Sequence, residues 1–216
     1  MIRQFAWIDV LFLVAAVRWT LALTGVAFFG GAVIGAIVAL LRFSRVAPLQ
    51  LLGTLYTQLV QGTPLLVWIF GLYFGLAIFG FSVGPWSAAA CALSVYAGAF
   101  LGEIWRGALL AIPKTQWEAG ASLGLGFLHQ LRYVIVPQAL RIAMPPTVGF
   151  LVQLIKDTSL ASTIGFVELT REGQTTTADT FQPFTVYSTV AALYFALCFP
   201  LTQWSRQLER RLHVAR

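Results

Sequence analysis

The sequence predicts an all-α integral membrane protein. Five transmembrane helices are expected, N-terminus outside and C-terminus in the cytoplasm, with a short cytoplasmic helix between the third and fourth. Three observations carry this prediction. Of the 216 residues, 58% are hydrophobic and only 10% charged, and the mean hydropathy is +0.80; a soluble domain carries about a quarter charged residues. The apolar residues gather into blocks near the roughly 20 residues a helix needs to cross hydrocarbon. The basic residues lie between those blocks and at the C-terminus, as a fixed orientation in a membrane requires. The net charge of +6 is therefore no sign of a nucleic-acid partner.

Taken in order, residues 1–17 are apolar but punctuated by Arg3 and Asp9, and the run over 10–17 is too short to span. Asp9 and the lack of a small-residue cleavage site argue against a signal peptide. The segment reads as an amphipathic stretch at the outer interface. The first span covers about 19–41. Ala27, Gly31, Gly35 and Ala39 recur every four residues, a ridge that admits a second helix closely. Arg42 and Arg45 follow and place that end in the cytoplasm.

The second span, about 48–79, is longer than a bilayer needs. Gln58, Gln61 and then Gly62-Thr63-Pro64 interrupt it, and proline both removes a donor and clashes with the preceding turn, so a kink or opening is expected there. A break at membrane depth lines a substrate path or is a packing kink. Residues 81–85 form a short uncharged external turn. The third span covers about 86–112, with Ser94, Gly98 and Gly102 as a second small-residue ridge. Glu103 and Arg106 lie three apart on one helix face and read as a structural ion pair.

The loop 113–137 is the most polar interruption in the chain. Pro113 stops the preceding helix. Thr115 and Glu118 have capping-box spacing, 116–123 suit a helix, and Gly124 is a natural stop after it. Such a helix is roughly 12 Å long, too short to span; it is expected on the membrane surface with Trp117 and Leu123 available to a partner. The fourth span covers about 141–156, with Pro145 and Pro146 near its start. Residues 159–171 read as a short tucked helix, the Thr-rich 172–181 as an external loop, and about 184–204 as the fifth span. Arg206, Arg210, Arg211 and Arg216 close the chain. With this topology ten of the 14 Lys and Arg residues face the cytoplasm.

Several motifs carry a family resemblance. Glu118-Ala119-Gly120, Gly124, and Val134 with Val136-Pro137 at matching spacing resemble the cytoplasmic EAA loop of ABC importer permeases. Gly replaces the third Ala, and Val the usual Ile and Leu. The stretch QGTPLL resembles the RGTPLL helix of polar amino acid permeases, with Gln61 in place of Arg, and GEIWRGAL resembles that family's AEIxRGA. LIKDTSL and the segment after it resemble the corresponding LIKDTSL and PEL-type helix. The resemblance spans nearly the whole of residues 1–216, taken as a single transmembrane domain.

This resemblance implies a permease subunit in a bacterial cytoplasmic (inner) membrane, part of an ATP-driven importer for a polar amino acid. Thr115, Trp117, Glu118, Ala119, Gly120, Gly124 and Pro137 would belong to the coupling helix and its loop, which docks an ATPase. The implied partners are two ATP-binding subunits, a second permease (identical or paralogous) and an extracytoplasmic substrate-binding protein. The substrate pocket is expected near Gln61, Gly62, Thr63, Pro64, Lys156, Asp157, Thr158 and Ser159, where Lys156 and Asp157 offer a donor and an acceptor for a zwitterion.

No catalytic constellation is visible. A phosphate-binding loop ends in Gly-Lys-Ser/Thr, whereas Lys114 follows Pro and Lys156 follows Ile; ATP and magnesium would sit on the partner, and no cofactor on this chain. Cys91 and Cys198 lie in apolar stretches and are expected as inert buried thiols, and His129 and His213 are isolated, so neither a metal site nor a disulfide is expected. A secondary transporter or channel working without an ATPase is the competing reading; five spans offer no inverted halves. A membrane enzyme would need more acid and base groups at depth than Glu103 and Asp157.

Overall fold

Small residues decide how the two central helices meet. Helix α1 (Trp7–Phe43) buries Ala27, Gly31, Gly35 and Ala39 along one face, and α5 (Pro85–Leu110) sets Gly98 and Gly102 against it. A Cβ added to Gly35 would stand 3.0 Å from the Gly102 nitrogen and 3.2 Å from the Gly98 oxygen. The two backbones touch, which only glycine permits, and α1 with α5 is the most extensive helix pair of the molecule. Both ridges expected from the sequence are thus faces of one seam.

The computed structural model describes residues 3–44 and 46–214, with side chains as far as Arg211. Arg45, Arg216 and the His213 side chain, named above, lie outside what is described. The elements after α1 are α2 (Ala47–Gln61), α3 (Leu65–Phe70), a wide turn at Gly71–Gly75, α4 (Leu76–Ile78) and α5. Then come α6 (Lys114–Ser122), α7 (Phe127–Gln130), a second wide turn (Leu131–Ile135), α8 (Val136–Asp157), a 3-10 segment (Thr158–Ile164), α9 (Leu169–Thr180) and α10 (Pro183–Val214). Among the described residues there are no strands. Four helical stretches are long and apolar enough to cross a membrane, and a fifth is added if Ala47–Gln61 and Leu65–Ile78 are one broken span.

Four expectations change. The separate interfacial segment at 1–17 is absent from residue 7 onward, because α1 runs unbroken from Trp7. Asp9 does not interrupt it; its carboxylate accepts the Ala6 N–H at 2.8 Å and pairs with Arg3, so the charge serves the positive end of the helix. The fourth helix starts well before residue 141: α7, the second wide turn and α8 run on as one helical stretch from Phe127, with Pro137 directly after the wide turn and Pro145 and Pro146 inside α8. The tucked helix at 159–171 is divided: its first part is the largely buried 3-10 segment, ended by Gly165 at φ 84, and its last residues open α9.

The external loop at 172–181 is in fact most of α9. Glu168 caps it by accepting the Arg171 N–H at 3.0 Å. Thr175, Thr177 and Thr180 return their hydroxyls to the carbonyls four residues back, at 2.7–2.9 Å. That local bonding reconciles a Thr-rich run with helix.

The core follows from these pairings. Leu23, Ala27, Leu65, Ile69, Leu93, Ala97, Leu101, Leu154, Ala161 and Ile164 form one buried cluster joining α1, α3, α5, α8 and the 3-10 segment. A smaller cluster around Ala108, Ile112, Ile135 and Ala139 lies beneath the loop that carries α6.

Candidate functional site

The first candidate region is α6 with its flanks. Pro113 has extended backbone (ψ 143°) and stands at the cap position, so the helix starts at Lys114. Thr115 and Glu118 are therefore both within the helix, and the capping box expected from their spacing is not formed. The far end behaves as expected. Gly124 takes φ 74°, its N–H bonds to Ala121 O at 2.9 Å, and the Leu125 N–H reaches Gly120 O at 3.1 Å. These are the two bonds of a Schellman stop.

One side of α6 is anchored. Gly120 is buried against Gln130, whose side-chain Cγ would lie 3.0 Å from an added Cβ; Gln130 in turn donates to Leu125 O at 2.6 Å. Gln138 of α8 donates to Gln116 Oε1 at 3.2 Å. Trp117, expected to be available to a partner, is turned inward. Its ring stacks on Phe127 (5.7 Å between centroids) and Phe43 (6.1 Å), because apolar area on this helix is better buried than left exposed. Thr115, Glu118, Ala119, Ser122 and Leu123 occupy the opposite, exposed side, at the three- and four-residue spacing of one helix face. Leu123 is 79% exposed, and Pro137 is exposed at the start of α8.

The second region is the broken helix. The axes of α2 and of Leu65–Ile78 differ by 98°. Gly62 ends α2 by bonding to Gln58 O at 2.9 Å, and Pro64, lacking an N–H, takes ψ 139° as the cap of α3. Thr63 Oγ1 covers the freed Leu59 carbonyl at 2.8 Å, and Gln61 Nε2 donates to Ala99 O at 3.4 Å. Gln61, Gly62 and Pro64 are exposed and Thr63 is half-buried.

The structure brings this break and the end of α8 onto the same core cluster, through Leu65 and Ile69 on one side and Leu154, Ala161 and Ile164 on the other. Lys156 is exposed, Asp157 and Ser159 are half-buried, and Thr158 is buried with its hydroxyl on Ile155 O at 2.7 Å. Lys156 and Asp157 are not an ion pair among the described residues; consecutive helix positions point about 100° apart. The Asp157 carboxylate accepts from Gln153 at 2.8 Å instead, within electrostatic reach of the Tyr96 hydroxyl. Tyr96, Phe100 and Phe150 form a ring wall between α5 and α8, with centroids 4.7 Å and 5.5 Å apart.

Two charged groups prove more connected than their spacing suggests. Glu103 pairs with Arg106 at 3.1 Å as expected, and also with Arg42 of α1. Arg42 further donates to Thr57 of α2 at 3.3 Å, so the cluster ties three helices. The second is Glu168. Fully buried, it accepts from Tyr194 at 2.9 Å and Thr20 at 3.4 Å, joining α1, α9 and α10. Burial pushes its carboxyl above the ordinary value, and the hydrogen bonds from Tyr194, Arg171 and Thr20 act in the opposite direction. Its one local signal is an acid three residues ahead of the N–H that it accepts, the spacing of a helix cap.

Comparison with known proteins places this arrangement. Residues 31–214 match the family model described as binding-protein-dependent transport system inner membrane component. The L-cystine transport system permease protein TcyB of Bacillus subtilis (strain 168) is 38% identical over 91% of this chain and 84% of its own. The glutamine transport system permease protein GlnP of Escherichia coli (strain K12) is 35% identical over 96% of each. A solved structure described as an amino acid ABC transporter with histidines superposes with a TM-score of 0.87 at 32% identity, covering 92% of this chain and 93% of that one. With a family model spanning most of its length and relatives of this identity, the chain belongs to the inner membrane components of binding-protein-dependent transport systems, as a transport permease subunit and not an enzyme.

Proposed function

We propose that this chain is the membrane-spanning permease subunit of an ATP-driven importer for a polar amino acid, contributing half of the translocation path and docking an ATP-binding subunit through α6. The observation that carries the reading is the two-sidedness of α6. Thr115, Glu118, Ala119, Ser122 and Leu123 are exposed on one face, while Gly120 and Trp117 fix the other to the transmembrane body. A short polar helix held rigidly with a free face suits a docking contact rather than a linker. The relatives' names, cystine and glutamine transport permeases, support the substrate class.

In this reading residues 1–216 form a single transmembrane domain in the bacterial cytoplasmic (inner) membrane, N-terminus outside, with the bent α2–α3 pair as one of five spans. Its partners are two ATP-binding subunits, which bind ATP and magnesium, a second permease (identical or paralogous) and an extracytoplasmic binding protein. Closure of the ATP-binding subunits displaces α6 and switches the path between its two open states. Such coupling requires a two-state partner in contact with α6. The solute passes the break at 61–64 and the end of α8 at 156–159.

The test is Glu118→Lys, which reverses a charge on the free face and leaves the anchored face intact. The variant is expected to insert normally, to co-purify with less ATP-binding subunit and to lose uptake at least about tenfold, since a like-charge contact at an interface costs several kcal/mol. Normal assembly and uptake would remove α6 as the docking element. Uptake by the permease alone in proteoliposomes would favour a secondary transporter.

A further inference from the structure

Trp117 is packed in a way that the docking role does not require. Its ring lies between Phe127, 5.7 Å away at 15°, and Phe43, 6.1 Å away at 28°. Phe127 belongs to the same loop, but Phe43 is the last residue of α1. The neighbouring residue, Arg42, pairs with Glu103 of α5 and donates to Thr57 of α2, and Glu103 holds Arg106 as well. One end of α1 therefore grips α6 by a ring and α5 and α2 by charge.

The covalent route from α5 to α6 is weaker mechanically. Residues 111–113 are non-helical, and Pro113 has extended backbone; such a joint absorbs rotation rather than passing it on. A stacked ring resists sliding and tilting, and below it α1 and α5 are locked by the glycine seam at Gly31, Gly35, Gly98 and Gly102.

We propose that Phe43 is a positioning residue for transport: through its stack on Trp117 it transmits displacement of α6 to α1, and through Arg42–Glu103 and the glycine seam to α5, so that α1 and α5 move as one body. The proposal rests on the docking reading above and extends it by naming the route by which the motion enters α1, beside the contact that α6 makes with α8 through Gln116 and Gln138. Phe43 stacks on Trp117, which lies on the anchored side of α6 and not among its exposed residues. Its loss thus separates hydrolysis from transport.

The experiment uses the permease assembled with its ATP-binding subunits and binding protein in proteoliposomes. Radiolabelled L-cystine and the twenty proteinogenic amino acids are screened, and the one taken up fastest by wild type becomes the probe. Phe43→Leu keeps an apolar side chain and removes the ring; Phe43→Tyr keeps the ring. In Phe43→Leu the ATP-binding subunits should co-purify at wild-type yield, while uptake per ATP hydrolysed falls about fivefold, the shift expected from one lost ring pair. Phe43→Tyr should stay within about twofold of wild type on the same scale. A wild-type coupling ratio in Phe43→Leu, or an equal fall in both variants, overturns the proposal. So does release of the ATP-binding subunits by Phe43→Leu, which would make Phe43 part of the docking scaffold. Glu118→Lys is run alongside: if it hydrolyses and transports normally the docking reading fails, whatever Phe43 does. Absence of any wild-type uptake overturns both.

Discussion

Gly124 and Glu168 show how differently single residues reveal themselves. Gly124 stands at φ 74°, a conformation that costs a β-branched residue roughly 1–2 kcal/mol, and its N–H completes the Schellman stop of α6. Gly124→Val should leave the transmembrane helices inserted but misplace Leu123 and the chain leading to α7. Uptake is expected to fall several-fold at normal expression, and equal uptake in reconstituted wild type and variant would contradict the stop's role. Glu168 carries another kind of requirement. Removing a buried acceptor that serves Tyr194, Thr20 and the Arg171 N–H leaves those donors unmet, at about 1–3 kcal/mol. Glu168→Ala should therefore lower the melting temperature in detergent by several degrees, while Glu168→Gln, which keeps acceptor and shape, should lose less than half as much. If the two variants melt alike, the hydrogen bonds do not hold α1, α9 and α10 together. The glycine was readable because its chemistry is local; the glutamate was not, since its partners lie 148 and 26 residues away.

At the scale of elements, legibility followed the range of the deciding interaction. The break at Gly62-Thr63-Pro64 was expected because proline acts on its own turn, and the 98° bend needs little beyond that. The small-residue ridges were expected from four-residue spacing, and they meet as one seam. The Thr115–Glu118 cap does not form because Pro113, two residues earlier, already holds the extended backbone that a cap requires. Residues 172–181 have the composition of a loop, yet hydroxyl back-bonds and the Glu168 cap supply what propensity lacks. The path segments offer the next prediction. Asp157 is half-buried, held by Gln153 beside Tyr96, whereas Asp179 is exposed on α9. Asp157→Ala should lower uptake at least about tenfold at normal assembly, the scale of one charged contact to a solute, and Asp179→Ala should not. Equal uptake in the two would take Asp157 out of the path.

For the molecule as a whole, the aromatic residues mark two levels along α1. Trp19 meets Trp86, which meets Phe166, at 6.1 Å and 5.3 Å; Phe43 meets Trp117 and Phe127 at the other level. Residues 19 and 43 are separated by about 36 Å along one helix, close to the roughly 30 Å of hydrocarbon plus its interfaces. The proposed orientation puts the first level outside and the second, with α6, in the cytoplasm. Single cysteines test this in a background lacking Cys91 and Cys198, which are not buried as their apolar stretches suggest: Cys91 is exposed and Cys198 half-buried. Ser82 between α4 and α5, Asp179 on α9 and Thr115 on α6 are all exposed, whereas Thr176 is 4% exposed and would give no signal from either side. Ser82→Cys and Asp179→Cys should react with an impermeant thiol reagent on intact cells, and Thr115→Cys only after permeabilisation. The basic residues counted at the cytoplasmic side supply the physical reason, because each Arg or Lys near a helix end resists export. Labelling of Thr115→Cys in intact cells, with Ser82→Cys silent, would invert the molecule and place α6 beyond the reach of any ATP-binding subunit.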